Sequence, residues 1–338
     1  MRKQLTWIKD TFAGSEVGED GKLKDMARYF AGAMLVMAAF TLAACGGGAG
    51  SPGEETTESG SRTIQHAMGT TKVSENPKRV VVLDTGELDS AMTLGVTPVG
   101  SVEAVEGLGY PSYLEATDGI ENVGTIEQPN LEKIATLEPD LILSSKLRHE
   151  KIYDQLSEIA PTVFTETTGV TWKENFEKHA EALNKTDEAE QVKTEYQERI
   201  DEFQGAIGED PPEVSVVRFL PGDTRIYQKE SFIGTILEDA GLPRPKPQDV
   251  EDFAILNASQ ELIPKMGGDV VFTTVYGPEK DSTLEEITSD PLWQQLEAVE
   301  QGRVYEVSDD LWMLGIGYTA AGGVVDDLEK YLVEEGDE

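Results

Sequence analysis

Residues 172–207 carry two consecutive helical patterns with no strand between them, Trp172 to Leu183 and Asp187 to Ile207, and this stretch limits the folds open to the chain. Along the second pattern Val192, Tyr196, Ile200 and Phe203 recur at three- and four-residue spacing, which places them on one helix face. Glu209-Asp210-Pro211-Pro212 ends it, because proline has no amide proton for the next turn. On either side the pattern is a strict alternation. Before it come a strand at Arg79–Asp84, a helix at Gly86–Leu94 closed by Gly95, a strand at Val96–Val102 and a short helix at Asn130–Leu137. A buried strand at Asp140–Ser144, a helix at His149–Ile159 and a strand at Thr162–Thr165 complete this half. After it come strands at Val214–Leu220 and Arg225–Gln228, a helix at Ser231–Ala240 closed by Gly241, and a strand at Asp269–Val275. A helix at Leu292–Leu296, a strand at Arg303–Val307 and a last helix at Tyr318–Leu332 follow. Alternation of this kind specifies parallel sheets covered by helices. The reading is α/β, with two Rossmann-like lobes joined by a single long helix. The lobes span 62–185 and 209–338, and the connecting helix spans 186–208.

The beginning of the chain has a different character. An apolar run, Tyr29 to Phe40, leads into Leu42-Ala43-Ala44-Cys45-Gly46, small residues around the sole cysteine. The run is short for a transmembrane helix and suits the core of a signal peptide. The pattern resembles a bacterial lipoprotein signal, in which the cysteine is lipidated and becomes the mature N-terminus. Two acyl chains there suffice for stable anchoring. Residues 1–44 are thus read as signal peptide, with Met26 the simpler start because Met26-Ala27-Arg28 makes a compact basic leader. Residues 45–61, rich in Gly, Ser, Thr and Glu, read as a flexible tether. The expected location is extracytoplasmic, held to the membrane by lipid alone.

Sixty-four acidic residues against 28 basic ones leave a net charge of −36. Nucleic acid is therefore excluded as a natural partner. With no cysteine beyond Cys45, the fold rests on packing without disulfides. In so acidic a chain, the few arginines set among apolar residues mark places where an anion could be received.

Several short stretches, in order and spacing, resemble the helical-backbone substrate-binding proteins of ABC importers for ferric siderophores and vitamin B12. They are Asn76-Pro77-Lys78-Arg79-Val80-Val81-Val82-Leu83, Leu94-Gly95-Val96-Thr97-Pro98-Val99-Gly100 and Asn130-Leu131-Glu132-Lys133-Ile134, with Leu137-Glu138-Pro139-Asp140-Leu141-Ile142. Arg148-His149, Leu156-Ser157-Glu158-Ile159-Ala160-Pro161-Thr162 and Ser231-Phe232-Ile233-Gly234 extend the likeness to both lobes. The resemblance implies a monomeric receptor without a cofactor, whose ligand is a ferric siderophore captured between the lobes and passed to membrane permease subunits. Iron stays wrapped in the siderophore, so no protein ligand to the metal is expected.

Such a ligand asks for aromatic walls and fixed cations aimed at chelate oxygens, a task suited to the planar guanidinium fork. The candidates are Arg148, after a strand end, Arg218, inside the apolar run Val214–Leu220, and Arg225. Arg225 shares a strand face with Tyr227 by period-two spacing. For Arg218 an ion pair with a carboxylate is an equal reading, and for Arg225 a solvated edge charge is a strong one. By the resemblance Trp312 stands at the cleft mouth. The sequence after it, Met313-Leu314-Gly315-Ile316-Gly317-Tyr318, lacks the arginines of citrate-type receptors and favours a hydroxamate or mixed hydroxamate-carboxylate siderophore. The resemblance also carries permease docking to Glu132 and Glu261, one glutamate per lobe. A haem or cobalamin receptor of the same fold stays open. A receptor for bare divalent metal fits poorly, since only His66, His149 and His179 exist. An extracytoplasmic enzyme is the reading from another class, and no Gly-x-Ser-x-Gly elbow, free cysteine or phosphate-binding glycine loop supports it.

Overall fold

The computed structural model describes residues 60–334, so the signal, Cys45 and all but the last residues of the tether lie outside the described residues. A hairpin of β1 (Ser61–His66) and β2 (Gly69–Ser74) comes first. It is followed by β3 (Val80–Val82), α1 (Thr85–Thr93), β4 (Gly100–Glu103) and β5 (Glu121–Thr125). Then come α2 (Leu131–Thr136), β6 (Leu141–Ser145), α3 (Lys146–His149), α4 (Tyr153–Ile159) and β7 (Thr162–Thr165). Two helices, α5 (Trp172–Leu183) and α6 (Thr186–Ile207), lead to β8 (Val214–Leu220), β9 (Asp223–Tyr227), α7 (Phe232–Asp239) and β10 (Ala254–Ile255). The chain closes with β11 (Val270–Val275), α8 (Leu284–Thr288), α9 (Glu297–Glu300), β12 (Val304–Glu306) and α10 (Tyr318–Glu329).

Two five-stranded sheets result, ordered β5-β4-β3-β6-β7 and β10-β9-β8-β11-β12. The first is parallel throughout. The second is mixed: β11 runs parallel to β8 and β12, whereas β9 is antiparallel to β8 and β10 to β9. The cause is local. Only Pro221 and Gly222 join β8 to β9, too few for a parallel crossover, and Gly222 takes the left-handed φ of +73° that a proline-glycine turn needs. The sequence reading also lacked the β1–β2 hairpin, whose arms are polar on one face, and β5, which is only partly buried. The expected strand at Val96–Val102 is confined to Gly100–Glu103, because Pro98 cannot donate to a ladder.

The stretches that carried the resemblance have structural work to do. Asp140 accepts from the amides of Lys78 and Arg79 at 2.7 and 2.9 Å, and the Arg79 side chain bonds back to the carbonyls of Leu137 and Glu138, so the entries to β3 and β6 are tied together. Ser231 caps α7 by accepting from the Gly234 amide at 3.0 Å. Gly234 lies so close to the carbonyls of Gln228 and Lys229 that any side chain would overlap them.

Strand alternation divides the core. Val80, Val82, Leu141, Leu143, Val214, Val216, Val270 and Phe272 face one apolar cluster that runs between the two sheets. Val81, Ile142 and Phe164 face an outer cluster on the first sheet, and Val217, Phe219 and Val271 face another on the second. The shared cluster is centred on an aromatic nest, with Tyr318 packed edge-on to Phe176 and Trp172 at 4.6 and 4.7 Å between centroids. Polar ties reinforce it: the Trp172 indole donates to Thr235 Oγ1 at 2.9 Å, and Lys173 pairs with Asp239. The helices α5 and α6 therefore sit in packed contact with elements of both halves.

Candidate functional site

In the first sheet the chain leaves the central strand β3 for β4 on one side and later returns to β6 on the other, whereas in the second β8 is flanked by its hairpin partner β9 and by the parallel strand β11. The crevice at the carboxyl end of a switch point such as that at β3 is where open α/β sheets receive ligands. Asp84 and Arg148 occupy that place on the first sheet, just after β3 and β6. Asp84 is 1% exposed and N-caps α1 by accepting from the Thr85 amide at 2.7 Å, while Arg148 Nε donates to Asp84 Oδ2 at 2.7 Å. The neighbouring His149 fixes the turn that presents Arg148. Its Nε2–H donates to the Ile126 carbonyl at 2.7 Å, which leaves Nδ1 to accept from Ser144 Oγ at 2.6 Å. Burial lowers the pKa of His149, in keeping with this neutral tautomer.

On the second sheet Arg218 continues the inward row begun by Val214 and Val216, which explains why a guanidinium is buried there. It makes a fork-to-fork pair with Asp309, at 2.7 Å from Nε to Oδ1 and 2.6 Å from Nη2 to Oδ2. Its carbon Cζ lies 4.9 Å from the centre of the Tyr276 ring, and Nη1 reaches the Tyr227 hydroxyl at 3.4 Å. Burial works against the charge, but Tyr227 and Asp309 outweigh it and the pKa of Arg218 rises. Arg225 stands directly opposite Arg218 across the β8–β9 ladder and pairs with Asp223 at 2.8 Å. Thr274 is Arg218's register partner on β11, and its buried hydroxyl has no hydrogen-bond partner among the described residues.

Glu127, in the turn after β5, links the two half-sites. Asp84 chiefly keeps the Arg148 pKa raised, and Glu127 adds to it. Burial pushes the Tyr276 phenol up, and Glu127 acts on it in the same direction. Ser112, in the loop after β4, donates its amide to Asp310, after β12, so loops from the two sheets meet here. Val105 and Leu108 after β4, Leu147 in α3 and Val170 after β7 supply exposed apolar surface at the first sheet's end.

Arg148 follows the carboxyl end of β6, while Arg218, Arg225 and Tyr227 lie together on the β8–β9 hairpin; the carboxylate partner weighed for Arg218 is present, and Arg225, weighed as a solvated edge charge, is buried and paired with Asp223. Trp312 is a correction. It is fully buried, its indole N–H donates to Asp327 Oδ2 at 2.8 Å on α10, and its ring packs on Phe272 with centroids 4.7 Å apart. The π-helical turn Asp310–Leu314 swings it into the core, and Asp309 is the residue this loop contributes to the site. Asp84, Glu127, Tyr276 and Asp309 were not singled out from sequence, although a buried Arg218 demanded some carboxylate partner. Glu132, in the first turn of α2, and Glu261, in the 3₁₀ turn Gln260–Lys265, are exposed and make no ion pair among the described residues. Each lies in the connection between a sheet's edge strand and the strand beside its centre, β5 to β6 and β10 to β11.

The fold is one of two α/β halves, each built on a five-stranded sheet. The chain belongs to the periplasmic binding protein family, whose sequence profile matches residues 80–311. It is 39% identical over 314 residues to the probable siderophore-binding lipoprotein YfiY of Bacillus subtilis, covering 89% of this chain and 97% of that one. It is 32% identical to the Fe(3+)-citrate-binding protein YfmC of the same organism, over 82% and 89% of the two chains. Among solved structures it superposes on Staphylococcus aureus SirA complexed with staphyloferrin B with a TM-score of 0.73 and 37% identity, covering 80% of this chain and 98% of SirA.

Proposed function

We propose that the protein is the extracytoplasmic receptor of an ABC iron importer, which captures a ferric siderophore between its two sheets and delivers it to a permease. The observation that carries this reading is the set of three buried or half-buried guanidinium groups, Arg148 after β6 and Arg218 with Arg225 on the β8–β9 hairpin. Each fork matches a bidentate oxyanion. Each is already balanced by one aspartate, so the cleft is not strongly positive, and a chelate of modest negative charge suits it best. That is the hydroxamate or mixed hydroxamate-carboxylate class. The buried place of Trp312 removes it, and the residues after it, from the support for this choice. The relatives named for siderophore and ferric citrate binding support the wider class. A haem reading gains nothing from the histidines: both nitrogens of His149 are bonded, His179 is 2% exposed, and His66 is bonded to Thr71.

Glu132 and Glu261 are the docking carboxylates in this reading, supported by their exposure and their matching places in the two halves. Cys45 is the lipid attachment site in this reading.

Tryptophan fluorescence of residues 46–338 tests the proposal against ferric citrate, ferric staphyloferrin B, a ferric trihydroxamate and a ferric tricatecholate. Saturable quenching at submicromolar concentration by the trihydroxamate or by a carboxylate-bearing complex, with little response to iron-free ligand, is the expected result. Silence across the whole set removes the siderophore reading.

A further inference from the structure

Beneath the Asp84–Arg148 half-site lies a second layer of polar groups that the binding reading does not use. Glu87 stands on α1 one turn beyond Asp84 and is 3% exposed. Facing it from α5, His179 bonds Ser90 Oγ through Nδ1 at 2.9 Å, and its buried Nε2 has no hydrogen-bond partner and lies 4.0 Å from Glu87 Oε1. Between them is a cavity of about 10 Å³, lined also by Thr168, Asn175 and Ile316, which has room for a single water. Such a water can donate to His179 Nε2 and accept from a Glu87 acid O–H, which leaves no charge buried at the site, and among the described residues no lysine or arginine forms an ion pair with Glu87 that would favour its charged form.

The charged neighbours agree with that arrangement. Asp84 repels a second negative charge on Glu87 and Arg148 favours it, while His179 offers none. Burial, with Asp84 adding to it, raises Glu87 to about 8. Burial alone lowers His179 to about 3.

We propose that Glu87, held as the uncharged acid, is the positioning residue that sets the charge of this half of the cleft, so that Arg148 is shared between Asp84 and an anionic ligand. When Glu87 ionises, two carboxylates hold one guanidinium, and the half-site turns against an anion. The inference rests on the reading of Arg148 as a ligand-facing cation. It predicts that affinity for an anionic ferric chelate falls on going from pH 7 to pH 9 by roughly fivefold, the part that falls in this interval of a roughly tenfold loss for one added charge at an effective dielectric constant of about 20.

The test measures Kd for ferric staphyloferrin B and ferric citrate at both pH values in the wild-type protein and in Glu87→Gln. The ratio of Kd at pH 9 to Kd at pH 7 is expected to be about five times larger in the wild type than in the variant, with the chelate's own pH response cancelling between them. Equal ratios in the two proteins overturn the inference while leaving the siderophore reading standing. If neither chelate binds at either pH, the siderophore reading is what has failed, and infrared spectroscopy then judges Glu87. The wild type should show the carbonyl band of a buried carboxylic acid at pH 7 that fades by pH 9 and is missing in Glu87→Gln, and its absence at pH 7 overturns the inference. Should Glu87→Gln not fold, the wild-type band and Kd ratio decide alone: a pH-independent ratio or a missing band refutes it.

Discussion

Removing Asp309 separates what Arg218 does for the fold from what it does for a ligand. The two side chains are 8% and 10% exposed, and their fork-to-fork contact is the guanidinium's sole partnership with a carboxylate among the described residues. Asp309→Ala leaves a buried cation with one long bond to Tyr227 and the face of Tyr276. Breaking a buried pair from one side costs about 3–5 kcal/mol. For a chain of this size that lowers Tm by about 6–15 °C, taking roughly 2–3 °C per kcal/mol. Replacing both partners, as Arg218→Met with Asp309→Leu, removes the charges together and should restore stability to within about 2 kcal/mol of wild type, because desolvation of a pair largely offsets its attraction. Ligand binding should part company with stability. The double variant should bind a ferric chelate more weakly by about 1.5–3 kcal/mol, the worth of a charged hydrogen bond. Differential scanning calorimetry and fluorescence titration read the two quantities. If the double variant binds as tightly as wild type, Arg218 is a structural cation and the cleft has been assigned one arginine too many.

Three further predictions test other parts of the molecule. Glu132→Ala combined with Glu261→Ala should abolish iron uptake in cells while ferric chelate affinity, measured by fluorescence, stays unchanged; lost affinity would mean the docking face is misplaced. Asp89 on α1 accepts from the Thr319 and Ala320 amides at the start of α10, at 3.2 and 3.0 Å, yet burial raises its pKa to about 6. Because the folded pKa lies above the usual 3.8, its stabilising contribution is complete below about pH 4 and is lost as pH rises through 6, by about 3 kcal/mol in all. Asp89→Asn should therefore gain on wild type between pH 4 and pH 7 in urea denaturation, and parallel stability curves would refute the assignment. Gly234→Ala forces a methyl against the Gln228 and Lys229 carbonyls and should destabilise by about 1–3 kcal/mol, with no measurable change expected if the α7 entry can simply shift.

Much of the fold is a matter of local pattern, and the sequence determined it. Helix periodicity placed α5 at Trp172–Leu183 and α6 within one residue of its observed start, and apolar runs placed β7 and β8, because burial of one face imposes spacings that a single chain displays. The antiparallel turn of β9 was written in Pro221-Gly222, a connection only two residues long. The arginines could be nominated because a cation inside an apolar strand is costly wherever it sits. Their partners could not, since Asp309 is 91 residues from Arg218 and Asp84 is 64 from Arg148, and only the packing of distant loops brings them together. The same limit explains Trp312: a tryptophan just past a strand has one local pattern whether it turns to the cleft or to the core, and the choice is made by Phe272 and Asp327 from other elements. Glu87 and His179 lie on α1 and α5, helices far apart in the chain. Only their packing makes a buried acid of one and a neutral imidazole of the other, because desolvation is a property of the surroundings and not of the residue.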